Sequence, residues 1–122
     1  MAVVLQHRRQ GHRLRLELPP PPRGLARRPP APLQDAQRAL RLIRKRAVAY
    51  GIDPSRIGVL GFSAGGHLLG LAATRWAFAS YRPVDATDDL PAHPVAAALI
   101  YPIITLELPH DQTSTRLQMV GR

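Results

Sequence analysis

The residues best suited to chemistry lie at positions 61–65, which read Gly-Phe-Ser-Ala-Gly. An alcohol is a poor nucleophile at neutral pH, so a reactive serine must be held where a base can reach it. A sharp turn between a strand and a helix holds it in this way, and nearby glycines leave room for the neighbouring backbone. The spacing therefore predicts Ser63 as a nucleophile, with Gly61, Gly65 and Gly66 providing the clearance of the turn.

The flanking segments have the patterns that such a turn requires. Residues 57–62 form a short apolar run without polar alternation, which is typical of a strand buried on both faces. Residues 64–79 predict a helix with little charge, packed inside the domain. The free N–H groups of a helix start can stabilise an oxyanion, so we expect the Ala64 N–H to be an oxyanion donor. The alternative is a glycine-rich strand–helix turn without a catalytic role.

Two more elements complete the predicted order. Residues 33–50 place apolar side chains at steps of three and four, which predicts an amphipathic helix with Asp35 in its first turn and a stop at Gly51. Residues 95–101 predict a second buried strand. Helix, strand, helix and strand in alternation indicate an α/β fold, with a parallel sheet and crossover helices.

The first 30 residues differ in composition from the rest. Residues 1–46 hold 12 Lys or Arg against 2 acids, whereas residues 47–122 hold 5 Arg against 6 acids. Four consecutive prolines at positions 19–22 exclude a helix or a central strand there. We predict an irregular Arg/Pro-rich segment over residues 1–30, foreign to the native fold, although the alternation at 13–18 is consistent with a short strand.

Three segments resemble the elbow region of α/β-hydrolase serine esterases, in the branch of carbohydrate acetylesterases that includes acetyl-xylan-esterase-like and feruloyl-esterase-like proteins. They are the elbow with its strand, residues 51–68, the preceding helix at 31–39, and the next strand at 98–104. Phe62 favours the acetylesterase-like side over the hormone-sensitive-lipase branch. The resemblance implies that residues 31–122 are the central part of an α/β-hydrolase domain.

The family's remaining catalytic elements have no counterpart in this sequence. They are the His-Gly-Gly-type loop that supplies a second oxyanion donor, the triad acid after a later strand, and the histidine in the last loop. Asp111 follows the second predicted strand, but the resemblance places the acid after a later strand, so Asp111 is not assigned that role. The resemblance therefore implies a truncated α/β-hydrolase fold, and little activity in this chain alone.

Other polar and aromatic residues have simpler interpretations. His67 lies one turn into the nucleophile helix, where packing or hydrogen bonding is a more common role than catalysis. The acidic loop at 80–93 lacks the ligand spacing of a calcium site, and we expect it to be solvated. The remaining candidates are given no chemical role: His93 and His110 are expected in loops, and Trp76, Phe78 and Tyr81 in core or lid packing.

These observations predict a serine hydrolase that cleaves small carboxylic esters, with acetylated carbohydrates as the substrates implied by the resemblance. No cofactor and no metal are expected. No apolar run is long enough to span a membrane, and the sequence contains no pattern typical of a signal peptide, so we expect a cytoplasmic location by default, with secreted relatives. Two alternatives stay open: a prolyl-oligopeptidase-like peptidase fragment, or an inactive fragment whose basic N-terminal tail binds polyanions. Nucleic-acid binding is not expected, because aromatic residues are not interleaved with the basic ones.

Overall fold

A four-stranded sheet lies at the centre of the computed structural model, which describes residues 2–6, 13–17, 31–110 and 112–119. The strands are β1 (Ala2–Gln6), β2 (Arg13–Glu17), β3 (Gly58–Phe62) and β4 (Ala96–Ile100), in the spatial order β2-β1-β3-β4. β3 and β4 run parallel, and β1 runs antiparallel to both β2 and β3. The α/β class and the parallel pairing of the two predicted strands are confirmed.

The two N-terminal strands differ from the irregular segment that the sequence predicts. β2 coincides with the alternating stretch at residues 13–18, whereas β1 lies where no strand was predicted. β1 is rich in valine and leucine, which suit a pleated surface, and it pairs with β3 over four residues. The rest of the predicted irregular segment lies outside the described residues, and the division of the chain at residue 30 stays a prediction.

The helices agree with the sequence in position but not in every boundary. α1 (Ala31–Arg46) starts earlier than predicted, so Asp35 lies beyond its first turn, where burial raises the pKa of its carboxyl group. A 3-10 turn (Val48–Tyr50) then leads to Gly51, whose φ of 67° provides the predicted stop. After β3 the chain forms α2 (Ala64–Thr74), and α3 (Ser114–Met119) follows β4.

α2 ends five residues before its predicted end, and a side chain of α1 binds the carbonyls of the residues that follow it. The Gln37 amide donates hydrogen bonds to the carbonyls of Arg75 at 3.2 Å and Phe78 at 2.9 Å. These carbonyls are thus satisfied outside any helix. Gln37 is fully buried, and its own amide oxygen accepts a hydrogen bond from the Ser80 hydroxyl at 2.6 Å. The side chain therefore connects α1 to the chain that leaves α2.

The core lies between the sheet and the two longer helices. α1 packs against α2, and α2 packs against β3 and β4. The buried apolar side chains of this cluster are Leu33, Ala36, Leu40, Ile57, Val59, Leu68, Leu69, Ala72, Ala92 and Met119.

The burial predicted for the second strand is wrong, because all five residues of β4 are exposed. β4 stands at the end of the strand order, next to β3 alone. Leu99 and Ile100 each keep 38% of their surface exposed. β4 therefore pairs in parallel with β3 while the described residues leave much of its surface uncovered.

The sequence predicted a solvated loop between α2 and β4, but ion pairs fix this loop to α1. Arg38 binds both carboxylate oxygens of Asp85, at 2.7 and 3.1 Å, and one oxygen of Asp88 at 2.8 Å. The bonds from Arg38 hold the pKa of Asp85 well below its usual value. Burial raises the pKa of Asp88, whose side chain is 1% exposed, but hydrogen bonds from Tyr81, the Val84 amide and Arg38 outweigh it and lower that pKa too.

Candidate active site

Ser63 lies between β3 and α2 in a backbone conformation that side chains rarely adopt. Its φ is 50° and its ψ is −118°, outside the extended region usual for the residue that precedes a helix. The residue is exposed, and its hydroxyl does not cap the helix. A serine that precedes a helix commonly caps it through its hydroxyl, and the Ser63 hydroxyl does not make this bond. Strained backbone of this kind persists where the surroundings hold it, and it is concentrated at functional sites.

The glycines at the turn are required by close backbone approach. A Cβ at Gly61 would lie 2.5 Å from the carbonyl oxygen of Gly65 and 2.9 Å from the nitrogen of Gly66. A Cβ at Gly66 would lie 2.9 Å from the Cβ of Pro102 and 3.2 Å from the Gly61 carbonyl. The end of β3, the first turn of α2 and the segment after β4 thus meet at van der Waals contact.

The segment after β4 holds the backbone of the turn from the other side. The Ser63 N–H donates to the carbonyl of Ile100 at 3.0 Å, and the Ser63 carbonyl accepts from the Ile103 N–H at 3.4 Å and the His67 N–H at 3.1 Å. Tyr101, between these contacts, has a φ of 35°. Because both sides of the turn are tied, Ser63 keeps its position without help from its own side chain.

Ala64 is the first residue of α2, so its N–H has no acceptor inside the helix. The helix dipole adds partial positive charge at the same place. This arrangement can stabilise negative charge that develops beside Ser63, which is the property expected of an oxyanion donor.

The histidine nearest to Ser63 in sequence has a structural contact. His67 Nδ1 lies 2.7 Å from the carbonyl oxygen of Ile103. A carbonyl can only accept, so Nδ1 carries the proton and donates it to this bond. His67 thereby ties α2 to the segment after β4, as the hydrogen-bonding interpretation of the sequence predicted.

The other polar candidates are not gathered around Ser63. His93 contacts Trp76 near the start of β4, at the opposite edge of the sheet, and Asp85 and Asp88 face α1. Asp111 lies outside the described residues. Within the described part of the chain, no three His, Asp or Glu side chains cluster as metal ligands would, and no helix is long and apolar enough to cross a bilayer.

Aromatic residues near the turn were not identified from the sequence. Phe62 ends β3 and Tyr101 directly follows β4, so the two rings lie side by side, with centroids 5.9 Å apart, and both are exposed. Core packing, one of the two roles predicted for Trp76 and Phe78, is wrong, because they are 41% and 54% exposed, and lid packing stays a prediction. Phe62 and Tyr101 are the last residues of the two predicted strands, and this position was the available signal, but aromatic residues there are more often buried.

Comparison with known proteins assigns this arrangement to a family. The family model described as BD-FAE matches residues 25–87, just over half of the chain, including α1, β3, the turn at Ser63 and α2. The chain belongs to the BD-FAE family. The resemblance to α/β-hydrolase esterases stated from the sequence is thereby confirmed.

Named relatives of this BD-FAE chain include proteins of xylan breakdown. An endo-1,4-beta-xylanase B of Butyrivibrio fibrisolvens is 38% identical over 74 residues, which are 61% of this chain and 12% of the relative. An acetylxylan esterase of Xylanibacter ruminicola is 29% identical over 76 residues, 62% of this chain and 13% of the relative. The chain thus spans about an eighth of the length of these relatives.

A solved structure gives the same picture in three dimensions. The acetyl ester-xyloside bifunctional hydrolase from Caldicellulosiruptor lactoaceticus superposes with a TM-score of 0.63 at 41% identity. The match covers 76% of this chain and 34% of that one. Both the sequence and the fold therefore connect the chain to ester hydrolases.

Proposed function

We propose that this chain carries the nucleophile of a serine ester hydrolase that acts on acetylated carbohydrates. The observation that supports this most strongly is the strained backbone of Ser63, between a parallel strand and a helix start, with its hydroxyl free of capping duty. The names of the relatives support the substrate class, since they include an acetylxylan esterase and an acetyl ester-xyloside hydrolase. They also favour an ester over the peptide substrate of the alternative hypothesis.

The proposed reaction follows from this geometry. The Ser63 hydroxyl oxygen attacks the ester carbonyl, and the negative charge that develops on the carbonyl oxygen is stabilised by the Ala64 N–H. Collapse of the tetrahedral species breaks the bond to the sugar oxygen, which leaves as an alcohol after it is protonated. Water then hydrolyses the acyl-serine to release acetate. The base that accepts the Ser63 proton is not assigned to any described residue.

A chimera tests the proposal directly. The segment of the Caldicellulosiruptor hydrolase that matches this chain is replaced by the corresponding residues of this chain, so that the relative supplies the rest of the domain. We expect release of acetate from acetylated xylan, and a loss of at least about a thousandfold with Ser63→Ala. Ser114→Ala, at an exposed serine at the start of α3, is the matched control and should keep the activity.

Each arm has a result that would count against the proposal. A folded chimera that hydrolyses acetyl esters equally well without the Ser63 hydroxyl would remove Ser63 from the mechanism. Faster cleavage of a peptide anilide than of acetylated xylan would favour the peptidase alternative. The full chain is assayed in parallel with 4-nitrophenyl acetate, and turnover that depends on Ser63 would exclude the inactive-fragment alternative.

A further inference from the structure

An open cleft lies at the edge of the sheet opposite Ser63. It has a volume of about 740 Å³, within the range of about 300–1,000 Å³ usual for small-molecule sites. Ser55 lines it just before β3, and Val95 lines it at the start of β4. Since Ser63 follows the other end of β3, the five-residue strand separates the two places by roughly 17 Å. The cleft is therefore distinct from the candidate active site.

One wall of the cleft is aromatic. Trp76 lines it with 41% of its surface exposed, and the His93 ring meets the indole edge-on at a centroid distance of 5.2 Å. The contact with His93 limits how far the indole can turn. A held and partly exposed indole offers a flat apolar face, against which the C–H groups of a pyranose ring can pack.

The other wall carries two cations from the last turn of α1. Arg44 donates hydrogen bonds to the carbonyls of Pro54 at 3.0 Å and His93 at 2.6 Å, and also to that of Pro91. These bonds fix the guanidinium and leave two of its five N–H groups for a further acceptor. Partial burial lowers the pKa of Arg44 from its ordinary value. Lys45 is exposed beside it and donates one bond to the Thr87 hydroxyl at 3.1 Å.

We propose that this cleft is a secondary binding site for an acidic oligosaccharide, a xylan segment that bears a uronate carboxylate. The sugar ring stacks on Trp76, and the carboxylate accepts hydrogen bonds from Arg44 and Lys45. Arginine and lysine next to an aromatic face provide both halves of this recognition. The choice of a xylan rests on the proposed function, whereas the cleft, its indole and its cations do not.

The chain offers a built-in reporter, because Trp76 is its single tryptophan. Indole fluorescence of the full chain is titrated with an aldouronic xylo-oligosaccharide, with the neutral xylo-oligosaccharide of the same length, with free glucuronate and with inorganic phosphate. We expect the acidic oligosaccharide to change the emission at a Kd at least tenfold below that of the neutral one. Free glucuronate should bind more weakly than the acidic oligosaccharide, because it offers a single ring, and phosphate should bind more weakly still, because it has no ring to cover the indole.

Variants with matched controls test the two walls separately. Lys45→Glu should raise the Kd for the acidic oligosaccharide about tenfold and leave the neutral one unchanged, whereas Arg46→Glu, at the next residue and outside the cleft, should change neither. Trp76→Ala should abolish binding measured by calorimetry, whereas Phe78→Ala, another exposed aromatic, should not. Circular dichroism of each variant confirms that it has folded.

Several results would overturn the proposal. Equal Kd values for the acidic and neutral oligosaccharides would remove the cations from the recognition, and a phosphate Kd as low as that of the oligosaccharide would indicate a simple anion site. Indole emission that does not change when the acidic oligosaccharide is added would show that the sugar does not stack on Trp76. Binding is measured on Ser63→Ala as well, and we expect no change there. The cleft and the proposed esterase activity can thus fail independently.

Discussion

The contact between Gly61 and the first turn of α2 leads to a sharp prediction for Gly61→Ala. The added Cβ would lie 2.5 Å from the Gly65 carbonyl oxygen, whereas ordinary contacts begin at 3.4 Å. The backbone would have to move by about 0.9 Å, and backbone on both sides is held by hydrogen bonds to β4 and to Ser63. Overpacking of this kind costs about 3 kcal/mol, so the ratio of folded to unfolded chain should fall by roughly a hundredfold.

The measurement is urea unfolding of the full chain, followed by circular dichroism. Gly58→Ala is the matched control on the same strand, because its Cβ would meet the Ala96 carbonyl at 3.5 Å, an ordinary contact. We expect its free energy of unfolding to stay within about 0.5 kcal/mol of the wild type. Equal stability of the two variants would refute the steric account of the turn.

Three further variants probe contacts of α1 with the loop after α2 and a contact beside the turn. Asp88→Asn should flatten the dependence of stability on acid pH. Folding lowers the pKa of Asp88, so the stability that its carboxylate contributes is present above the ordinary pKa of 3.8 and is lost as the pH falls below that value. Urea midpoints at pH 7 and pH 3, compared between the variant and the wild type, would reveal the difference. Gln37→Leu should lower the free energy of unfolding by about 2–3 kcal/mol, because the Ser80 hydroxyl and the Phe78 carbonyl lose their partner and the Arg75 carbonyl keeps only the Phe78 N–H. A change below about 0.5 kcal/mol in thermal unfolding would contradict this. His67→Leu should speed hydrogen exchange of the Ile103 amide roughly fivefold in NMR spectra, since a bond worth about 1 kcal/mol is lost. Unchanged exchange would mean that the Ser63 carbonyl alone holds this amide.

The sequence predicts the strand, turn and helix around Ser63 well, because apolar runs and glycine spacing are local signals. It does not predict the early end of α2, after which the Arg75 carbonyl accepts a hydrogen bond from Gln37, a residue 38 positions earlier. The burial of Asp88 was missed for the same reason, since its partner Arg38 is distant in sequence. The exposure of β4 could not be read from its apolar residues, because composition does not tell which neighbours are present.

The position of the cleft was likewise out of reach from the sequence. Its two walls come from the end of α1 and from the loop after α2, and they meet only because the two helices pack against each other. Trp76 and Lys45 each have an unremarkable local pattern. Such a site is recognised only after the chain has been folded.

The attachment of the α2–β4 loop to α1 also has a consequence for how the chain folds. Hydrogen bonds from Arg41 reach Tyr81 and Leu90, residues 40 and 49 positions away. Closing segments of this length costs chain entropy before any of the contacts forms, and such long-range contacts slow folding. We therefore expect the loop to become ordered only when α1 docks, in one late cooperative step that follows formation of the local turn around Ser63.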